Sequence, residues 1–464
     1  MTFQKLVPLA LALALGAVLV GEQPAEACGG CFIPPGPPGE DPAVVTDHRM
    51  ILSVAQGQTT LYDQIRYRGL PEEFAWVLPI AGEAEVGLSA DTLFSTLGGF
   101  TQTQIVQPPQ NCPPQPNCSS SGDESLSSAP QSAGGADPAP PPVIVTRQET
   151  VGPYATVQLQ SENAEALNQW LADNKFIVPA DVKPIISQYV KEHFNFLAMK
   201  LKPGANVQSM RPVRVTTKGP SVVLPLRMVA AGTGAIVGIT LWVVGEGRYA
   251  PQNFPSFSIK ADDLVWDWNK SESNYKALRG QRTTELGGRG WEIESAFRMP
   301  VSQITQGVRS FSQRGGPSPQ GDNGDYTAIP AAENKPARTA EQAREEDLKA
   351  LFGARSERGD FYMTRLRADL VHASLAEDLV MSASVDQGPL PQIRQVTKEA
   401  NEPLCPVWNG CDQNGYAPRS EAARRSSGPS CSSSPSIPAN GLAVAGLGLA
   451  GLALVKAARR RREG

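Results

Sequence analysis

Histidine is nearly absent: His48, His193 and His372 are the three in 464 residues. No two stand at the spacing of one helical face and there is no HExxH, so a histidine-built metal centre is not expected. Aromatic residues are scarce at 6%, and basic residues have no excess, 42 Lys and Arg against 46 Asp and Glu. That balance excludes the electrostatic footprint of a nucleic-acid binder. Long apolar runs are missing except at the two ends, which excludes a polytopic membrane protein. There is no GxSxG elbow and no Walker loop. Asp322-Asn323-Gly324-Asp325 lacks the alternation and the twelfth-position Glu of a calcium loop. No cofactor is indicated. Glycine (43) and proline (41) are plentiful, the mark of long loops. The chain is nevertheless 41% hydrophobic and can bury a substantial core.

Residues 1–27 read as a secretory signal. Lys5 precedes the apolar run Leu6 to Val20, and Ala25-Glu26-Ala27 puts small residues at −3 and −1. Signal peptidase is expected to cut between Ala27 and Cys28. A lipid-modification site would want Leu and a small residue where Ala25 and Glu26 stand, so ordinary cleavage is the better reading. At the other end, Ser427 to Pro438 is rich in Ser, Pro and Gly and contains Cys431. Ala439 to Val455 follows as a short apolar segment, then Lys456 and Arg459, Arg460, Arg461 and Arg462. Its length just spans a thin bilayer. The arginines act as a membrane stop on the cytoplasmic side.

This tail resembles the MYXO-CTERM sorting signal, a Cys in a Ser/Gly/Pro setting followed by a helix and an Arg run. The resemblance covers about the last 35 residues. It implies that Cys431 is the modified residue, that an intramembrane protease removes the helix, and that the product is displayed on the cell surface. The seven cysteines fit export. With Cys431 set aside, Cys28, Cys31, Cys112, Cys118, Cys405 and Cys411 form three neighbouring pairs. An even, paired set in an exported chain argues for disulfides. Local pairing is the simplest of the 15 connectivities that six cysteines allow, and sequence does not decide among them. After both cleavages the remainder holds 36 basic and 43 acidic residues, a mildly acidic ectodomain at −7.

Between the ends the pattern predicts an α+β fold with mostly antiparallel sheet. The segments are a β-rich part at 28–106, a Pro/Ser-rich insertion at 107–142 and an α+β part at 143–311. A linker at 312–338, a returning helix and strand at 339–385 and an irregular Cys-containing stalk at 386–438 follow, with the membrane helix at 439–455 and a basic tail at 456–464. Asp47 to Val54 and Thr59 to Tyr67 alternate about a turn at Gly57-Gln58, with Leu61, Ile65 and Tyr67 inward and Thr60, Tyr62, Gln64, Arg66 and Arg68 outward. Phe74 to Leu78 reads as a strand buried on both faces. Ser89 is a candidate helix cap. Ala164, Leu167, Trp170 and Leu171 stand at helical spacing, and 184–192 reads as a further helix. Strands are expected at 143–150, 154–160, 194–201, 213–216, 221–229, 235–244, 291–297 and 361–370. Thr339 with Gln342 forms a capping box for a helix to Phe352.

Four segments, Cys28-Gly29-Gly30-Cys31-Phe32, Asp47-His48-Arg49-Met50, Phe74-Ala75-Trp76-Val77-Leu78-Pro79 and Pro225-Leu226-Arg227-Met228, resemble a bacterial family known as domain of unknown function 2330. The resemblance spans roughly residues 28 to 300, at most to 385, and implies an exported or envelope protein. It brings no catalytic residues. Cys28 and Cys31 have the CxxC spacing of thiol oxidoreductases, but Phe32-Ile33-Pro34-Pro35 cannot open the helix that lowers a thiol pKa. A structural disulfide is favoured. A zinc site using both is disfavoured where thiols oxidise. His48 is the best single acid–base candidate, although a salt bridge with Asp47 or Arg49 at a strand edge explains the triplet as well. Trp266 and Trp268 with Asp262, Asp263 and Asp267 suit a sugar or peptide groove, and suit core packing better. No catalytic or metal residue is assigned. The expected function is a binding or scaffolding ectodomain with an unknown envelope ligand, held to the membrane by its C-terminal helix. The alternative is an envelope enzyme, a hydrolase or a thiol oxidoreductase.

Overall fold

The computed structural model describes residues 31–32, 44–68, 75–115, 144–176, 178, 182–203, 210–230, 235–314, 324–332, 335–409 and 412–426. Eight strands form one sheet in the order Ser256–Phe257, Trp291–Pro300, Asp360–Val371, Ile236–Gly245, Val44–Ala55, Gln58–Arg68, Val213–Lys218 and Ala84–Leu88. Five form a second in the order Cys31–Phe32, Ala75–Ile80, Asn195–Leu201, Tyr154–Gln160 and Ile144–Val151. Most neighbours are antiparallel. At the centre of the larger sheet Ile236–Gly245 runs parallel to Val44–Ala55. The expected class, α+β with mostly antiparallel sheet, is the observed one.

Helices cover one face of each sheet, and strands of the two sheets share a further apolar cluster. Helices α1 (Asp91–Thr101), α2 (Ala164–Asp173), α3 (Lys183–Lys191) and α4 (Leu226–Val229) come first in the chain. Then come α5 (Tyr275–Glu285), α6 (Val301–Arg314) and α7 (Ala340–Phe352). Leu93, Phe94, Ile304, Val308, Leu351 and Phe352, from α1, α6 and α7, pack on Ile51, Tyr62, Trp242 and Met363 of the large sheet. Its opposite face, with Met50, Leu52, Leu241, Val243 and Leu366, forms a second cluster. Leu167, Trp170, Leu171, Ile186 and Tyr189, on α2 and α3, cover one side of the smaller sheet.

Local chemistry fixes several boundaries, two of them, the Thr339 box and the Gly57 turn, as expected. The Asn163 side chain accepts from the amides of Glu165 and Ala166, capping α2. Thr339 Oγ1 accepts from the Gln342 amide while Gln342 returns a bond to the Thr339 amide, the reciprocal box that starts α7. Gly57 turns the first hairpin at a φ of +84°, open to glycine without strain.

Other expectations fail for tertiary reasons. Thr60, Tyr62 and Gln64 were expected outward, yet all are buried, because a helical layer or strand covers that face too. Ser89 is not the cap of α1, whose N-cap is Ala90; the Ser89 hydroxyl instead donates to Asp347 at 2.6 Å. The strand expected over 221–229 shrinks to Val223–Leu224, and α4 follows Pro225. Helices α5 and α6 were not expected.

The chain divides into two units, Met1–Pro109 with Ser120–Asn401, and Gln110–Ser119 with Glu402–Gly464. Within the second, the segment expected to be an irregular stalk holds a hairpin, Leu404–Asn409 with Asp412–Pro418, and helix α8 (Arg419–Ser426). Cys405, Val407, Ala417 and Ala422 bury its small core against Cys112. Cys112 is bonded to Cys405, 293 residues away.

Candidate functional site

Three of the four sequence segments singled out above meet at one cavity between layers. It measures about 20 Å³. His48 and Met50 come from the first segment, Trp76, Val77 and Leu78 from the second, and Pro225, Leu226 and Met228 from the third. The remaining segment adjoins it, because Cys31 pairs with Trp76 and Phe32 with Ala75 in the strand register. A cavity of this size holds about one water molecule. A neighbouring cavity of about 50 Å³ shares Leu61, Leu78 and Pro225 and adds the polar groups Thr59, Thr217, Ser221 and Asp378.

His48 is 0% exposed. It lies on a central strand, between Ile236–Gly245 and Gln58–Arg68, so the expected salt-bridged strand edge is not what holds it. Its Nδ1 stands 3.1 Å from Oδ1 of Asp63 on the next strand, a residue 3% exposed. The other lining residues are Leu61, Leu224 and Val229, so among the described residues no hydroxyl or thiol nucleophile completes the pair for acyl transfer.

Arg227 of the third segment reaches away from this cavity. Its guanidinium binds both Glu192 oxygens at 2.7 and 2.6 Å and Asp378 at 2.6 Å. It stacks 4.1 Å from the Tyr189 ring centroid, while the Tyr189 hydroxyl donates to Asp378 at 2.6 Å. These bonds hold the Glu192 carboxyl below its usual range, and burial beside Asp378 pushes the Tyr189 phenol up. The arrangement is a clasp joining the end of α3, α4 and the segment before Leu379–Ala383.

Residues 24–381 match the family described as uncharacterised proteins conserved in bacteria, DUF2330. The chain belongs to this family. No curated protein matches it. A solved structure of a mutated baculovirus P35 after caspase cleavage is similar at 11% identity over 46% of this chain and 70% of that one, with a TM-score of 0.25; at that score the likeness carries no argument. For the DUF2330 chain, then, three of the four segments singled out in the sequence are walls of one cavity, a convergence that sequence spacing alone does not show.

The other expected sites are placed differently. The local bridges Cys112–Cys118 and Cys405–Cys411 are both replaced, since Cys112 and Cys405 bond to each other; Cys118 and Cys411 lie outside the described residues. So do Ala27, Cys28, Cys431, the apolar segment 439–455 and Arg459 to Arg462. Among the described residues no helix is long and apolar enough to cross a membrane. Nor does any group of three or more His, Cys, Asp or Glu there stand ready to hold a metal. Trp266 is buried in a satellite cluster with Ile259, Leu264 and Val396, and the Trp268 indole donates to Glu399 at 2.9 Å, as core packing requires.

Three polar centres escaped sequence reasoning: Asp63, the Arg227 clasp and Asp347. Asp347 accepts from Ser89, from the Tyr326 hydroxyl at 2.8 Å and from Arg214 at 2.9 Å. The available signal was a charged residue inside a β pattern, as at Asp63 and Arg214.

Proposed function

We infer that this protein is an exported ectodomain of the bacterial cell envelope whose role is binding or scaffolding. The observation that carries the reading is the Cys112–Cys405 disulfide. Bridges between distant cysteines persist where thiols oxidise and are rare in the bacterial cytosol. The secretory pattern of residues 1–27 and the Cys431, apolar and arginine tail support the same route: cleavage by signal peptidase, transit through the inner membrane, and display on the surface after an intramembrane protease acts. A hydrolase built on His48 has less support, because the cavity there is the size of one water and its remaining walls are apolar.

Non-reducing peptide mass spectrometry of protein from native envelope fractions tests the reading. The expected result is a linked Cys112–Cys405 peptide, a new N-terminus at Cys28 and no Arg459–Arg462 peptide on the surface form. A cytosolic full-length chain with free thiols would overturn it.

A further inference from the structure

We propose that the exposed face of the Leu404–Pro418 hairpin rests on the lipid surface beside the apolar segment 439–455. The inference rests on reading that segment as a membrane span and adds an interaction surface to it. Leu404 pairs with Pro418, and Pro406 with Tyr416, in the hairpin register. Opposed residues of an antiparallel pair share a face, and neighbours along a strand alternate between faces. These four apolar side chains therefore lie on one side of the hairpin. Cys405 and Ala417 take the other side, in the small core with Ala422 of α8. Leu404 is 64% exposed and Tyr416 65%, so two large apolar side chains meet solvent on the same face. Such a grouping marks an interaction surface more than singly scattered residues do.

Position in the chain names the occupant. Helix α8 ends at Ser426, and the apolar run begins at Ala439, after the twelve residues 427–438. A chain of that length, fully extended, keeps the end of α8 within about 45 Å of the bilayer. Two side chains would not hold a free protein there, since even one fatty acyl chain gives only marginal binding. A tether changes the balance, because the lipid surface is then present at an effective concentration in the millimolar range, where weak contacts suffice. Tyrosine suits the place, its ring apolar and its hydroxyl wet at the headgroup level. Residues 402–426 hold three acidic side chains, Glu402, Asp412 and Glu421, and three basic ones, Arg419, Arg424 and Arg425. With no net charge the attraction is apolar and insensitive to salt.

The test uses the chain with its Cys112–Cys405 bridge and its tail intact, reconstituted in vesicles of phosphatidylethanolamine and phosphatidylglycerol. The vesicles carry a phospholipid with a diazirine near its headgroup, and peptides labelled on illumination are mapped by mass spectrometry. The apolar segment 439–455 should be labelled as the internal control. Hairpin peptides containing Leu404 and Tyr416 should be labelled with it, equally at low and high salt. Leu404→Ser combined with Tyr416→Ser should cut the hairpin labelling about tenfold or more and leave the apolar segment unchanged. Retention of the bridge and of the circular dichroism spectrum shows that the variant folds. A labelled apolar segment beside an unlabelled hairpin, or unchanged labelling in the folded double variant, would overturn the proposal and leave the export reading standing. An unlabelled apolar segment would overturn the membrane reading as well. Dimers that form without lipid and are lost in the double variant would overturn it in favour of a second copy on this face.

Discussion

Single buried charges govern much of this protein's behaviour. Asp347 is fully buried, and burial pushes its carboxyl up even though Arg214, Ser89 and Tyr326 pull it down. Asp347→Ala would strand the largely buried Arg214 guanidinium, and a loss of about 3–5 kcal/mol is expected, read as a lower urea midpoint. Glu292 behaves differently. It is 0% exposed, and burial, then the charge of Glu294, raises its pKa from 4.5 to about 7. Its pKa is raised on folding, so the folded chain binds the extra proton between about pH 4.5 and 7. Stability from this group therefore falls as pH rises through that window and is level above it. Glu292→Gln keeps a partner for the Tyr275 hydroxyl, which donates to Glu292 at 2.8 Å. It should flatten the pH profile of thermal unfolding and gain on the order of 1–3 kcal/mol at pH 8; an unchanged slope would refute the assignment. Neither centre was legible in the sequence. Asp347 is an ordinary position on a capped helix, and Glu292 one residue of a strand; what singles them out is the low-dielectric surroundings that other elements supply.

At the level of elements, the capped and periodic ones were readable. The Thr339–Gln342 box is local, three residues apart, so its geometry follows from sequence alone. Thr339→Ala should cost about 1 kcal/mol, measurable by calorimetry, with fraying of the first turn of α7 detected by hydrogen exchange. Helix α2 was legible because Leu167, Trp170 and Leu171 form one stripe. Helix α5 was not: it has no fully buried residue, so it shows no apolar stripe to read. Strand Gln58–Arg68 was recognised but its faces were misread. A sheet covered by strands and helices on both sides needs no polar face, and the alternation rule assumes one. The segment 221–229 is rich in β-branched residues, yet Pro225 starts a helical turn that carries Arg227 to Glu192 and Asp378.

Across the whole molecule, the bridge between Cys112 and Cys405 is the clearest case of distance in sequence hiding contact in space. Cys112→Ser should cost about 2–5 kcal/mol and loosen the second unit, with hydrogen exchange rising across the hairpin Leu404–Pro418 and α8; equal protection in the variant would show that the small core of Val407, Ala417 and Ala422 suffices. By itself the sequence determined the fold class, helices α2 and α7 and most strands, since these depend on local pattern and turn chemistry. Only the tertiary structure decided that His48 faces Asp63, that four separated segments adjoin one cavity, and which cysteine bonds which. Those outcomes depend on the order and register of strands brought together from distant parts of the chain, and no local spacing encodes them.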